Sequence, residues 1–208
     1  MYLPAHFAET RHDALHRLIE QNPLGALVSN GPKGLDANHL AFELDIAAGE
    51  HGVLRAHVAR ANPVWKEVGD GDNVLLIFRA ADAYISPNWY PSKHELHRQV
   101  PTWNYQVVHV HGRIRIRDDE KFVRGLVGRL TRSHETLANS DQAWRMADAP
   151  QAFIDEMLKL IVGIEVDIER IVGKAKLGQN REERDRLGAA DALAARGHEA
   201  LAAAMRKP

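Results

Sequence analysis

The stretch VVHVHGRIRIR, from Val107 to Arg117, constrains the fold more than any other part of the chain. Val108, Val110, Ile114 and Ile116 recur every second position, and His109, His111, Arg113, Arg115 and Arg117 fill the other set. A period of two puts the aliphatic residues on one side of an extended strand and the cations on the other. Ile164, Val166 and Ile168 alternate in the same way with Glu165, Asp167 and Glu169, as a late long strand. Shorter strands are predicted at Gly25–Ser29, Asn38–Leu44, Val53–Val58, Val74–Phe78 and Tyr84–Ile85, with a turn at Asp82-Ala83. Leu40, Phe42 and Leu44 share one face. Leu54, Ala56 and Val58 oppose Arg55 and His57. The unbroken apolar run at Val74–Phe78 suits a strand covered on both sides.

Helical spacing appears in blocks between these strands. Thr10 is the expected cap of a helix reaching about Gln21, with Asp13 at N3, and Asn22-Pro23 ends it. Asn62-Pro63 opens a short helix ending near Gly69. Asp118 is expected to cap a helix with Phe122, Val123, Leu126, Val127 and Leu130 as its apolar stripe. A further helix around Pro150–Leu160 carries Phe153, Ile154, Met157 and Leu158, and Asn180 with Glu183 reads as a capping box before an alanine-rich tail. Strands gather before and after the helical insert, without strand–helix–strand alternation. The expected architecture is α+β: a mainly antiparallel sheet or closed barrel with peripheral helices. There is no internal repeat or linker, so residues 1–208 read as one domain with a helical insert near 118–160 and a helical tail near 181–206.

Composition removes several function classes. The chain has no cysteine, which excludes disulfides and thiolate chemistry. A net charge of −1 argues against a globally basic nucleic-acid binder. No signal peptide or membrane-length apolar run is visible, and the expectation is a cytoplasmic protein without membrane contact. Twelve histidines are present, but HExxH is absent and His109 with His111 lacks a third ligand, so no metal is expected. Neither GxGxxG nor a P-loop occurs, and Ser86 and Ser92 lack nucleophile-elbow glycines. Catalytic residues are not identifiable.

Three constellations remain. Ala83–Tyr105 concentrates Trp89, Trp103, Tyr84, Tyr90 and Tyr105 with Pro87, Pro91 and Pro101. Its prolines break regular structure and its aromatics favour order, so it reads as a loop over a planar ligand or a partner, or as a core cap. Arg55, His57, Arg60 and the Asn62-Pro63 helix start form a phosphate-binding corner on one reading and an ordinary strand–helix turn on the other. Lys174 to Arg181 offers Lys176, Gln179 and Asn180 around Gly178, either as donors to a heteroaromatic ring or as a basic helix cap.

Five blocks together resemble the PaiB family of FMN-binding negative transcriptional regulators. They are His39-Leu40 with Phe42; Ala56 to Pro63; Tyr84 to Pro87 with Trp89-Tyr90; Val100 to Tyr105, containing PTWNY; and Lys176-Leu177 with Gln179 to Arg181. The likeness extends over about residues 1–190. It implies a flavin-binding split β-barrel of Greek-key type, related to pyridoxamine-phosphate-oxidase-like proteins, with FMN at the interface of a homodimer. The implied FMN-binding residues are His39, Arg55, His57, Arg60, Asn62, Thr102, Trp103, Asn104, Lys176, Gln179 and Asn180. The phosphate is expected near Arg55, Arg60 and Asn62, and the ring towards Trp103 and Asn104. Ala41 stands where the family has proline, and Gly178 where it has serine. DNA is implied as a partner by the resemblance alone. An FMN-dependent oxidoreductase and a flavin-free interaction module are the competing functions.

Overall fold

The computed structural model describes residues 1–208, except the side chains of His94 and Leu96. In chain order the elements are β1 (Ala8–Glu9), α1 (His12–Gln21), β2 (Leu24–Gly31), β3 (Gly34–Ala41), β4 (Glu43–Asp45), β5 (Val53–Ala59) and α2 (Val64–Glu67). They continue with β6 (Asn73–Ile85), α3 (Lys93–Leu96), β7 (Thr102–Arg117), α4 (Glu120–Asn139), α5 (Gln151–Lys159), β8 (Ile161–Lys176), α6 (Glu183–Ala194) and α7 (Glu199–Arg206). The chain forms two compact units. The terminal unit comprises Met1–Asn22, Phe78–His109 and Val172–Pro208; the central unit comprises Pro23–Ile77 and Val110–Ile171.

The strand order is β3-β2-β6-β7-β8-β5-β4. Pairing is antiparallel wherever the register is fixed by named partners: β2 with β3 and β6, and β5 with β4 and β8. The β2–β3 hairpin closes with Gly31 opposite Gly34, so the turn is only Pro32-Lys33 and β3 begins four residues before its aliphatic alternation. Leu27 lies opposite Leu76, Leu54 opposite Val166, and Ala56 opposite Ile164, and all six are fully buried. Each large aliphatic among them supplies about 1.5–3 kcal/mol of transfer free energy. The helix predicted from Asp118 is capped one residue later, where Asp119 Oδ1 accepts from Phe122 N at 2.8 Å. Val123, Ile154 and Leu158 form a second small core between α4 and α5, while Phe153 and Met157 lie exposed on α5 rather than in its buried stripe.

In the terminal unit β1 pairs with β8, with Ala8 opposite Lys174. The cap of α1 is Arg11, not Thr10. Glu9 fixes that turn by accepting from the Arg11 backbone N–H at 2.9 Å. The α6 cap is Glu182, not Asn180. Helices α6 and α7 fold against the former aromatic segment through Ile85, Tyr90, Leu177, Ala189, Leu193, Leu201 and Met205. Gly188 makes this approach feasible: a Cβ there would lie 2.7 Å from Trp89 O and 2.9 Å from Pro91 Cδ. The segment itself is not one loop. β6 runs through the expected Asp82-Ala83 turn to Ile85, a 3-10 turn covers Pro87–Trp89, and Thr102–Tyr105 is already strand. Ser86 acts as a turn residue, accepting from Asn88 N at 3.2 Å.

Candidate functional site

The expected anion corner lies in the central unit, at the end of β5. Its two arginines diverge. Arg55 donates to Glu165 and Asp45, each at 2.8 Å. Arg60 grips Asp118 with two bonds of 2.9 and 2.6 Å and also donates to the carbonyls of Lys159 and Ile161. The Arg60 hydrogen bonds hold the Asp118 carboxyl below the usual range. Helix α2 is a single turn ending at Glu67, and its first free N–H, on Val64, is taken by Asn62 Oδ1 at 2.9 Å. A row of free donors at a long helix start is therefore not present. Instead Asn62 bridges backwards: its Nδ2 donates to Asn38 Oδ1 on β3 at 2.7 Å. Trp65 adds a bond from Nε1 to Arg60 O at 3.0 Å, and the Arg60 guanidinium lies 5.6 Å from its ring centroid.

His57 differs from its neighbours. It faces Gly163 across the β5–β8 ladder, and its Nδ1 is buried without a hydrogen-bond partner. Burial pushes the imidazole pKa down, so the ring is neutral at neutral pH. An unpaired buried polar atom costs about 1–3 kcal/mol, and such atoms in native proteins call for an explanation. His39 is exposed on β3, opposite Ala26.

The cationic face of β7 meets the acidic face of β8 within the same unit. Arg113 bonds Glu169 at 2.8 Å, Arg115 bonds Asp167 at 2.6 Å, and Arg117 bonds Glu165 at 3.1 Å. Glu165, 5% exposed, thus receives Arg55, Arg115 and Arg117. Burial would raise its pKa, but the Arg55 hydrogen bond and the three positive charges prevail and lower it. Sequence reading named the arginines but missed Glu165 and Asp118 as their partners. The matching alternation of charge in the two strands was the available signal for Glu165; Asp118 carried none.

The remaining candidate residues lie in the terminal unit. Lys176 donates to Thr102 Oγ1 and, at 2.8 Å, to Trp103 O. Burial is the largest influence on this ammonium and lowers its pKa. Trp103 is 54% exposed and packs edge-on to Tyr84 at 6.1 Å between centroids. Asn104 is buried, with Nδ2 3.4 Å from Met205 Sδ. Gln179 closes a local turn, accepting from Leu177 N at 2.8 Å and donating to Ala175 O at 2.6 Å. Gly178 occupies the left-handed region at φ 89°, and Asn180 is exposed. A network that the sequence did not reveal joins Ser92, Gln99, Arg181 and Asp185. Among the described residues no group of three or more His, Cys, Asp or Glu side chains is placed to hold a metal, and no helix is long and apolar enough to cross a membrane.

A mainly antiparallel sheet with peripheral helices defines an α+β fold. Its fold is similar to the flavocytochrome Anf3 of Azotobacter vinelandii, with a TM-score of 0.60 at 13% identity over 83% of this chain and 70% of that one. It is also similar to a FAD- and heme-binding protein of Mycobacterium smegmatis, with a TM-score of 0.59 at 14% identity over 82% and 74%. Residues 1–170 match the family described as "Putative FMN-binding domain", and the chain belongs to that family. It is 33% identical to an uncharacterized protein of Emericella nidulans, over 90% of this chain and 88% of the relative. It is 29% identical to the protease synthase and sporulation protein PAI 2 of Bacillus subtilis, over 93% and 89%.

Proposed function

We propose that the protein binds FMN at the β5 corner of the central unit and acts as a homodimeric regulator. The observation that carries the flavin reading is the unpartnered Nδ1 of His57 in a chain of the FMN-binding-domain family. A neutral imidazole held between Arg55 and Arg60 in sequence suits a ligand with polar edges and a phosphate. Bound FMN supplies two-electron redox chemistry; the chain's own part is to hold and orient it. Asn62 and Asn38 fix the geometry of the corner, and His57 furnishes the hydrogen bond. Arg60 provides the phosphate charge, in competition with Asp118.

The dimer is proposed because β3 ends the strand order and turns an exposed face outward, with Leu35 79% exposed. An end strand of this kind is normally covered. The regulatory role is proposed from the likeness to PAI 2, a protein named for protease synthesis and sporulation. Arg113, Arg115 and Arg117 already meet carboxylates, so any contact with DNA should be weakly electrostatic, with a shallow salt dependence.

Titration with FMN, followed by visible absorbance, tests the reading. Saturable uptake below about 100 µM is expected. His57→Leu should weaken FMN by about tenfold, the loss of one buried hydrogen bond. Arg60→Ala should weaken FMN more than riboflavin, and Asp118→Asn should tighten FMN alone by freeing the guanidinium. Absence of uptake, or equal effects of Arg60→Ala on the two flavins, would overturn the cofactor or the phosphate assignment respectively.

A further inference from the structure

The largest described cavity lies elsewhere in the central unit, and the flavin reading makes no use of it. It occupies about 600 Å³ between the C-terminal half of α4 and the chain from Ser140 to Ala147. That volume lies within the range of small-molecule sites, about 300–1,000 Å³. Its charged lining consists of Arg132 and Arg145, with no carboxylate among the lining residues. Neither guanidinium has an ion-pair partner among the described residues, whereas Arg124 and Arg129 on the same helix are both paired. Thr131, Thr136 and Ser140 contribute hydroxyls. Trp144 lines the cavity and is 42% exposed, so its ring is open to a ligand there.

The wall carrying Trp144 is built rather than loose. Glu135 on α4 accepts from Trp144 N at 3.0 Å and from Asn139 Nδ2 at 2.8 Å. The Trp144 hydrogen bond is the main reason that the Glu135 pKa is lowered. Asp148 accepts from Arg145 N at 2.8 Å. Ser140, where the wall leaves the helix, sits at φ 49°, ψ −114°, a conformation that non-glycine residues rarely adopt. Such strain concentrates at ligand clamps, where the surrounding structure holds it in place.

We propose that this cavity binds a small planar aromatic anion, with its ring against Trp144 and its carboxylate or phosphate taken by Arg132 and Arg145. Two unpaired guanidiniums select the negative group, since charge-assisted bidentate bonds are the strongest available there. The exposed indole and the Met146 thioether select a flat ring. The hydroxyls of Thr131 and Thr136 accommodate a further polar substituent.

Calorimetric titration of the full chain, with FMN added to saturation, tests the site using 2-naphthoate, 1-naphthyl phosphate and the neutral 2-naphthamide. At least one anion should bind saturably at submillimolar concentration, and the amide about tenfold or more weaker. The tighter of the two anions identifies the group as carboxylate or phosphate. Arg132→Gln and Arg145→Gln should each cost the anion about tenfold and leave the amide unchanged. Trp144→Ala should weaken anion and amide alike, and Thr131→Met, which fills the cavity from a different element, should abolish both. The proposal fails if neither anion saturates by about 1 mM, if the amide matches the anions, or if the arginine variants bind as the parent does.

Discussion

Asp185 in the terminal unit is a buried polar side chain, His57 in the central unit is a half-buried one with a buried nitrogen, and the two are treated in opposite ways. Asp185 is 1% exposed, and its carboxylate accepts from Ser92 N at 2.9 Å, Ser92 Oγ at 2.6 Å and Gln99 Nε2 at 3.2 Å. Arg181 closes the network on Gln99 and stacks on Tyr90, 5.1 Å from the ring centroid. Nothing in this network is left over for a ligand. His57 keeps a buried nitrogen with no partner. A saturated network fixes a single arrangement of chain, here the former aromatic segment on α6; an unsaturated one stores a binding preference at some cost in stability.

Asp185→Ala should have the largest effect on that comparison. It strands the Ser92 amide, the Ser92 hydroxyl and Gln99, and should lower unfolding free energy by about 3 kcal/mol or more. The denaturation midpoint would report it; a loss within error would mean that the network is not saturated after all. Glu165→Gln should come next, with a loss of about 2 kcal/mol at neutral pH, since its arginines remain partly paired to Asp45, Asp167 and Asp119. Glu165 has a lowered pKa in the folded state, so its stabilisation is present above about pH 4.3 and disappears as pH falls through the folded value. The parent and Glu165→Gln should therefore converge in stability on acidification. Curves that stay parallel would show that the arginine cluster does not act through this carboxylate.

The smallest effect has the opposite sign. His57→Leu should stabilise the flavin-free protein by about 1 kcal/mol, because it removes an unpaired buried nitrogen. The folded His57 resists protonation, whereas the unfolded one takes a proton near pH 6.5. Parent stability should thus decline as pH falls below that value, and the decline should be shallower in His57→Leu. Thermal melts at pH 7.5 and 5.5 check both points. If His57→Leu destabilises the flavin-free protein, the imidazole is a packing element and the contrast with Asp185 collapses.

Much of the fold was legible from local pattern. The β7 and β8 alternations, the Phe122–Leu130 stripe and the helical tail all appear where periodicity put them. Boundaries were less legible. β6 and β8 run well beyond their apolar cores, because hydrogen bonding to neighbouring strands carries a ladder past the residues that nucleate its pattern. The site was legible only in part. His57, Arg60 and Asn62 are visible as unusual residues around a strand–helix corner. The state of each is set by groups far away in sequence: Arg55 meets Glu165 across 110 positions, and Arg60 meets Asp118 across 58.

The sequence by itself determined the periods: which residues of each strand are apolar, which are charged, and that Arg113, Arg115 and Arg117 share one side while Glu165, Asp167 and Glu169 share another. Tertiary structure decided the pairing. A basic strand face is an anion-binding surface when it meets solvent and an ion-pair ladder when it meets an acidic neighbour. Only strand order and register choose between these, and a slip of one residue would turn every charge to the opposite face. The unpartnered state of His57 Nδ1 is of the same kind. Burial and the absence of a partner are sums over many non-local neighbours, so no local pattern of residues encodes them.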